Sequence, residues 1–159
     1  MIRKAQREDL PALLGIYAQA RRFMAENGNA SQWAGGFPPR ELLEDDIEKG
    51  QLYAVEREGR VCGAFAFAVG PDETYARIEQ GTWLSDSEYG AIHCVAGDGT
   101  AHGLLREIVA FCEKRISHLR IDTHRDNRVM RHLIPQNGFQ ERGIIYIRGG
   151  SPRIAYEKL

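Results

Sequence analysis

The chain has 159 residues, with 21 Lys or Arg against 22 Asp or Glu and a formal net charge of -1. A chain of this length buries roughly two thirds of the surface that its unfolded form exposes, so we expect one domain over residues 1–159 whose core needs no metal or disulfide. Because there is no basic excess, the composition argues against nucleic acid or an anionic membrane as the main partner.

The cysteines and the apolar runs indicate the compartment. Cys62, Cys94 and Cys112 lack the paired spacing of a zinc site, and their odd number argues against a complete disulfide framework. The start of the chain is charged where a signal peptide is apolar, and no apolar run approaches the roughly twenty residues that span a bilayer. We therefore expect a cytoplasmic protein with reduced thiols, no export signal and no transmembrane segment.

The spacing of apolar residues, with Gly, Pro and Asn at the boundaries, predicts a chain that mixes helices and strands. In chain order the predicted elements are a strand at residues 2–6, helices at 8–27 and 39–49, strands at 51–56, 60–69, 74–83 and 89–95, a helix at 104–116, a strand at 119–123, a helix at 127–137, and strands at 139–147 and 153–157. No repeat or linker divides the chain. The order predicts the α/β class, with a mixed α+β sheet covered by helices.

Two predicted loops differ from ordinary solvated connections. The segment Asn29–Pro39 is rich in Gly and Pro but also contains Trp33 and Phe37, which predicts a loop that folds over another part of the molecule. The glycine-containing loop at 97–99 lies between a predicted strand and a predicted amphipathic helix. Ordinary turn formation is the alternative explanation for its glycines.

The order of elements and the last third of the chain resemble the GNAT N-acetyltransferases. In that third, the run from Leu119 to Asn127 leads into Gln136-Asn137-Gly138-Phe139, and the chain closes on Gly149–Lys158. The resemblance covers nearly the whole chain. It implies a GNAT-like acyl-CoA N-acyltransferase fold, with a central, mostly antiparallel sheet flanked by helices, and acetyl-CoA as the acyl donor. Residues 143–146 and 149–156, together with Asn27-Gly28-Asn29 before Gln32-Trp33, are also similar to one uncharacterised bacterial branch of that family.

In the GNAT family a motif at the start of a helix binds the pyrophosphate of CoA, with Arg or Gln, two residues, Gly, one residue, and Gly or Ala. Here the motif aligns on residues 100–105: Gly103 matches, Thr100 replaces the basic or amide residue, and Leu105 replaces the final small residue. Backbone N–H groups at a helix start bind the diphosphate, and these donors survive substitution. The resemblance therefore implies weakened CoA binding. Leu105 obstructs the phosphate site if it points there and is harmless if it points into the core.

The resemblance also implies which residues bind the cofactor. Backbone groups matching Cys94 and Val95 hold the pantetheine amide and the thioester carbonyl in the family, and an Asn matching Asn127 contacts the pantetheine arm. Helix capping alone also explains Asn127. The implied cofactor-binding residues are Cys94, Val95, Gly99, Thr100, Ala101, His102, Gly103, Leu104 and Asn127.

Direct attack by an amine on a thioester requires a base, and the predicted strands offer two candidates, Glu79 and His93. The alternatives are a solvated strand face or an Arg partner for Glu79, and a hydrogen-bonded core histidine for His93. The tyrosine that protonates the leaving thiolate in the family corresponds to Ile134 here, so that acid is absent. Water or another tyrosine such as Tyr146 are the alternatives.

Trp33 and Trp83 are candidates for the wall of a substrate pocket, and core packing is the alternative for both. His124 and His132 have no clustered set of ligands around them, so we predict no metal site. Cys94 beside His93 is not predicted to act as a nucleophile, because adjacent residues of a strand point to opposite faces.

Together these features predict an acetyl-CoA-dependent N-acetyltransferase that acts on an amine of a small molecule or peptide by direct transfer. The partners implied are acetyl-CoA and the amine substrate. The alternative is a non-catalytic GNAT-fold module that binds acyl-CoA or another ligand, which Thr100, Leu105 and Ile134 favour. A homodimer formed through the last strands or helices is compatible with the sequence, which shows no readable interface.

Overall fold

A seven-stranded mixed sheet forms the centre of the structure, a computed structural model that describes residues 1–159. The elements in chain order are β1 (Ile2–Lys4), α1 (Leu10–Glu26), α2 (Arg40–Glu48), β2 (Leu52–Arg57), β3 (Arg60–Val69), β4 (Gly90–Gly97), α3 (Leu104–Glu113), β5 (Leu119–Thr123), α4 (Arg128–Gln136), β6 (Gln140–Tyr146) and β7 (Pro152–Lys158). Short 3-10 turns lie at Arg7–Asp9, Ala34–Gly36 and Glu73–Tyr75. All but one of the predicted helices and strands therefore form.

The strand order is β1-β2-β3-β4-β5-β7-β6, and each neighbouring pair except one is antiparallel. The exception is the parallel pair of β4 and β5, which α3 connects as a crossover. This topology confirms the predicted fold class, α/β with a mixed, mostly antiparallel central sheet flanked by helices. None of the helices combines the length and the apolar character needed to cross a membrane.

Apolar side chains cover both faces of the sheet. On one face α3 and α4 pack over large residues of the central strands, such as Phe65, Ile92 and Ile121. On the other face α1 and α2 pack over small residues, including Ala64 and Ala66 of β3. The small side chains let α1 lie close to the sheet, which is how the loop after α1 reaches the ends of the central strands.

The strand predicted at residues 74–83 does not form, and this prediction was wrong. The carboxylate of Asp72 accepts a hydrogen bond from the backbone N–H of Thr74 at 2.9 Å, which begins a 3-10 turn instead. Farther along, only Glu79 pairs with β6, through an isolated bridge to Ile144. A side chain at Gly81 would clash with the backbone carbonyl of β6, so this segment crosses the sheet edge closely at one point. The conformation of this segment thus depends on a local side-chain cap and on one contact with β6.

The parallel strands β4 and β5 separate after Ile92 and Ile121, the last residues that pair across them. The register between β3 and β4 shifts at the same level, because β4 has a bulge at Cys94 and Val95. Cys94 has a φ of 53°, in the left-handed region that non-glycine residues rarely adopt. The hydroxyl of Tyr17 in α1 donates to the carbonyl oxygen of Cys94 at 2.7 Å, which holds the bulge.

Candidate active site

A cavity of about 740 Å³ lies where β4 and β5 separate. The α1–α2 loop with Trp33 covers one side of it, and the β6–β7 loop with Ser151 covers the other. The lining includes Ile121 from the α3 face of the sheet and Asp122 from the α1 face, because the gap between the strands joins the two. The volume is in the range of sites for small molecules.

His93 of β4 lines this cavity and is held by Asp72. Nε2 of His93 lies 2.7 Å from Oδ2 of Asp72, and the imidazole stacks on the ring of Tyr75 with 5.5 Å between centroids. Burial disfavours the charge on Asp72, but hydrogen bonds from His93 and Thr74 outweigh it and lower the pKa of the carboxyl to about 2. Because an ionised Asp72 only accepts, the proton of neutral His93 lies on Nε2, and Nδ1 keeps its lone pair.

Carboxylates surround the imidazole on the cavity side. Nδ1 of His93 is 3.8 Å from Oδ2 of Asp122, an oxygen that also accepts a 2.7 Å hydrogen bond from the hydroxyl of Tyr75. Burial of the ring opposes protonation, but the hydrogen bond to Asp72 and the charges of Asp122 and Asp46 outweigh it and raise the pKa of His93. The site therefore attracts protons and cations.

Arg148 of the cavity lining is exposed to solvent, but two buried or half-buried charged side chains of the lining also lack a salt-bridge partner. Asp46 lies on α2, whose salt bridges use Glu44 and Asp45 instead, and burial together with the charge of Asp45 raises the pKa of the Asp46 carboxyl. Arg153 of β7 is 4% exposed, and its guanidinium donates only to neutral oxygens of residues 151–152 and of the α1–α2 loop. Burial lowers the pKa of Arg153. The cavity thus contains an anionic and a cationic group that form no salt bridge, although the charge of Asp122 acts on Arg153 and those of Lys49 and His93 act on Asp46.

Gln32 in the α1–α2 loop connects the walls of the cavity. Its Oε1 accepts hydrogen bonds from the amides of Asn29 at 2.9 Å and Asn127 at 3.0 Å, and its carbonyl oxygen accepts from Arg153 at 3.2 Å. Oδ1 of Asn127 accepts from the N–H of Met130 at 3.1 Å and so caps α4. Both ends of the Asn127 amide are engaged within the protein, and the pantetheine contact implied for this residue stays a prediction.

The residues aligned with the pyrophosphate motif open α3. Gly103 is the N-cap residue with a φ of 70°, and no backbone acceptor meets the first N–H groups of the helix. The hydroxyl of Thr100 donates to Asp98 at 2.6 Å, and Arg60 of β3 binds both residues, at 3.0 Å to Asp98 and 3.2 Å to Thr100. An exposed guanidinium from a neighbouring strand therefore lies beside the loop where the family has its basic or amide residue.

The Leu105 side chain, which the sequence left open, points into the core between α3 and the sheet, where it is 5% exposed. It therefore lies away from the surface at the start of the helix and does not obstruct it. Leu104 packs against Gly97, where a Cβ would lie only 2.8 Å from the leucine methyl. Of the other loop residues, Gly99 and His102 are exposed and Ala101 is half-buried.

The structure does not bring the two candidate bases together. Glu79 lies outside the cavity and binds Arg77 at 2.5 Å and the hydroxyl of Tyr146 at 3.0 Å. Its predicted place at the cleft depended on the strand that does not form. Of the two, only His93 lines the cavity.

The two candidate tryptophans also lie in different places, since only Trp33 lines the cavity. Trp33 lines the cavity and is 8% exposed, with its ring 5.7 Å from that of Tyr17. Trp83 lies outside the cavity, where its indole N–H donates to the carbonyl of Tyr75 at 3.0 Å and its ring lies 3.9 Å from the guanidinium of Arg120. Core packing, the alternative reading of Trp83, describes its surroundings.

Burial raises the pKa of the Cys94 thiol to about 12, with further contributions from Asp46 and Asp122. A thiol with this pKa stays protonated at neutral pH and is a weak nucleophile. No group of three or more His, Cys, Asp or Glu side chains is arranged to hold a metal ion.

Sequence reasoning missed most of the charged residues around His93. Asp72 follows Gly70-Pro71, so the sequence indicates only a turn at this position. Asp46 is one of several acidic residues on α2, and nothing in the sequence distinguishes it from the others. Asp122 and Arg153 lie toward the ends of two predicted strands, and polar residues at strand ends are a signal that could have found them. Gln32 lies next to Trp33 in the loop that the sequence predicts to fold over another part of the molecule.

Solved structures provide the comparison for this fold. No family model and no curated protein matches the sequence. A GNAT-family acetyltransferase from Streptococcus agalactiae 2603 is 28% identical with a TM-score of 0.91, and the match covers 100% of this chain and 94% of that one. A GNAT-family acetyltransferase from Listeria monocytogenes 4b F2365 is 22% identical with a TM-score of 0.73, covering 99% and 93%. N-acetylglutamate synthase from Neisseria gonorrhoeae, solved with coenzyme A and N-acetyl-glutamate, is 20% identical with a TM-score of 0.62, covering 99% of this chain and 34% of that one.

These similarities define the fold class: the whole chain has the acyl-CoA N-acyltransferase fold, with β4 and β5 separating in its centre. The chain is 28% identical over its full length to a GNAT-family acetyltransferase, which confirms the resemblance to the GNAT superfamily that the sequence predicts.

Proposed function

We propose that the protein is an acetyl-CoA-dependent N-acetyltransferase that acts on an amine of a small molecule or peptide by direct acyl transfer, with His93 as the general base. The observation that carries the proposal is the His93–Asp72 pair, 2.7 Å apart, inside the cavity at the β4–β5 opening. A base oriented by a carboxylate and facing a cavity is the arrangement that amine activation requires.

The fold offers a suitable place for the acyl donor. Cys94 and Val95 line the opening between the strands, and neither neighbouring strand supplies them with a ladder partner, although the Cys94 carbonyl accepts from Tyr17. The start of α3 offers N–H groups to a diphosphate, with Leu105 turned into the core. The donor, when bound, supplies an activated thioester carbonyl. We infer that the backbone at Cys94 and Val95 orients the pantetheine end, and that residues 99–104 contact the phosphates.

In the reaction, the lone pair of a neutral amine forms the N–C bond to the thioester carbonyl, and the C–S bond breaks. The proton that the amine loses passes to Nδ1 of His93, directly or through one water, while Asp72 holds the opposite nitrogen. The imidazolium is stabilised by the charges of Asp72 and Asp122. These groups lie within one cavity, so orientation contributes to the rate along with proton transfer.

The leaving thiolate takes its proton from water. Ile134, at the position of the family's tyrosine, is fully buried in the core. The hydroxyl of Tyr146 binds Glu79 outside the cavity and does not line it. No side chain is thus assigned as the acid.

The test is release of free thiol from acetyl-CoA with a panel of amines. Because a general base contributes about 100- to 10,000-fold, H93Q should lower kcat by about 100-fold or more while acetyl-CoA binding stays within about twofold. The matched comparison is E79Q, the rival base. If E79Q lowers kcat while H93Q keeps the wild-type kcat, Glu79 is the base and the assignment of His93 is wrong.

The non-catalytic alternative has one observation in its favour. Asp98, in the loop that opens α3, carries a negative charge where a phosphate would lie, although Arg60 pairs with it at 3.0 Å. A binding module would show a ligand-dependent rise in melting temperature with no thiol release for any amine in the same panel.

A further inference from the structure

The two fully enclosed arginines of the sheet differ in one respect. Arg120 of β5 and Arg153 of β7 are each 4% exposed. Arg120 lies outside the cavity and pairs with the buried carboxylate of Glu157 at 3.3 Å, between two aromatic rings. Arg153 lines the cavity and has only neutral acceptors, the nearest being Oγ of Ser151 at 2.6 Å. Buried charges in proteins are normally paired, so the unpaired guanidinium in the cavity is the exception.

The same contrast holds for neighbouring carboxylates of α2. Asp45 is exposed and binds Lys49 at 2.8 Å. Asp46 is half-buried, lines the cavity, and neither a salt bridge nor a side-chain hydrogen bond reaches its oxygens. A carboxylate and a guanidinium that form no salt bridge therefore line one cavity, with His93 in the same lining.

We propose that the acyl acceptor is an amino acid, a molecule with a primary amine and a free carboxylate. Its carboxylate binds Arg153, and its ammonium is attracted to Asp46 beside His93. This inference rests on the acyltransfer proposed above. A bidentate guanidinium–carboxylate pair is stronger and more directional than a neutral contact, so Arg153 fixes which end of the substrate faces the base.

The proton balance is consistent with this orientation. The acceptor arrives as an ammonium, and one proton must leave before its nitrogen can attack, with a second lost as the amide forms. His93 takes one proton at a time at Nδ1 and passes it to solvent through the open side of the cavity. The carboxylate of the acceptor keeps its charge throughout and stays on Arg153.

The experiment compares each acceptor with its carboxamide, which keeps the amine and removes the anionic charge. The panel contains α-amino acids and ω-amino acids of increasing length. Both calorimetric binding and thiol release are measured, on wild type, R153Q, R153K and D46N. Because a charge-assisted hydrogen bond is worth roughly 1.5 to 3 kcal/mol, wild type should prefer at least one acid over its amide by about 10- to 100-fold. That preference should fall to about twofold in R153Q, with the amide unchanged.

Control variants separate a local effect from a folding defect. D45N matches D46N on the same helix and R77K changes an exposed arginine outside the cavity, and both should keep the acid preference. Acetyl-CoA binding in every variant reports the folded state. R153K keeps the charge but loses the bidentate geometry, and should retain part of the preference.

The outcomes separate the two proposals. Thiol release with equal use of acids and amides overturns the amino-acid inference and leaves acyl transfer standing. Arg153-dependent binding of an acid with no thiol release overturns acyl transfer and keeps the ligand class. No acid bound or acetylated at millimolar concentration overturns the inference as well.

Discussion

His93 lies among carboxylates that favour its protonated form, although its proposed role needs the neutral form. We therefore expect kcat/KM to rise with pH and to level off above the raised pKa of His93. D72N removes one group that raises the pKa of His93, so the rising part of the kcat/KM profile should move to lower pH. The plateau value of kcat/KM should fall, because Asp72 no longer orients the base. Profiles measured with one amine isolate the change, because the amine titrates identically with both enzymes. An unmoved limb would show that another group controls the profile.

Arg120 and Arg153 predict opposite consequences for stability. R120M removes the guanidinium that pairs with Glu157, which is 0% exposed and keeps its hydrogen bonds to His118 at 2.6 Å and to the backbone N–H of Leu84 at 2.5 Å. The loss of one charge-assisted hydrogen bond should lower the free energy of unfolding by about 1.5–3 kcal/mol. R153M leaves no carboxylate without a salt-bridge partner and removes a buried charge that donates only to neutral oxygens, so its stability should stay within about 1 kcal/mol of wild type while activity falls. Urea unfolding with unchanged m-values measures both changes. Equal losses in the two variants would mean that Arg153 is a structural residue.

The conformation of the segment from Asp72 to Trp83 depends on contacts with β6, which is distant in sequence. Its Gly81 approaches the backbone of β6 so closely that an added Cβ clashes with the carbonyl of Arg142. We expect G81A to lower the free energy of unfolding by about 1–3 kcal/mol, since backbone must move. Activity should fall too, because the same segment carries Asp72.

The matched control is Gly15 in α1, where nothing lies within 4 Å of an added Cβ. G15A should raise the free energy of unfolding by about 0.5–1 kcal/mol, the usual difference between glycine and alanine in a helix. Thermal and urea unfolding of the two variants would check both signs. A stable, fully active G81A would show that the segment adapts without strain.

The segment at 74–83 and the strand at 119–123 differ in how well the sequence predicts their conformation. The strand at 119–123 forms at its predicted bounds because its apolar run and its turns are local signals. The strand predicted at 74–83 fails because a side-chain cap at Asp72 and a single approach to β6 decide its conformation. His93 lines the cavity because it lies on a strand that does form, and its catalytic role stays a prediction. The place predicted for Glu79 was wrong because its strand does not form. Asp46 and Arg153 line the same cavity only because distant elements pack together.

At the scale of the whole molecule, the cavity joins parts that are far apart in sequence. Gln32 links the loop after α1 to Asn127 at the start of α4 and to Arg153 on β7. The opening between β4 and β5 is held by Tyr17 from α1. Both halves of the chain therefore contribute to one site, and a ligand in the opening should stabilise the molecule as a unit.

This leads to a prediction for acetyl-CoA. A ligand that binds only the folded state at 100 times its Kd adds about 2.7 kcal/mol to the free energy of unfolding. For a domain of this size that should raise Tm by roughly 5–10 °C. R60Q, which removes the guanidinium beside Thr100, should need more acetyl-CoA for the same shift, whereas R77Q should not. Because backbone N–H groups supply the other phosphate contacts, moderate salt should reduce the shift without abolishing it. An unchanged Tm at millimolar acetyl-CoA would mean that the loop at 98–103 no longer binds the donor and that the fold serves another ligand.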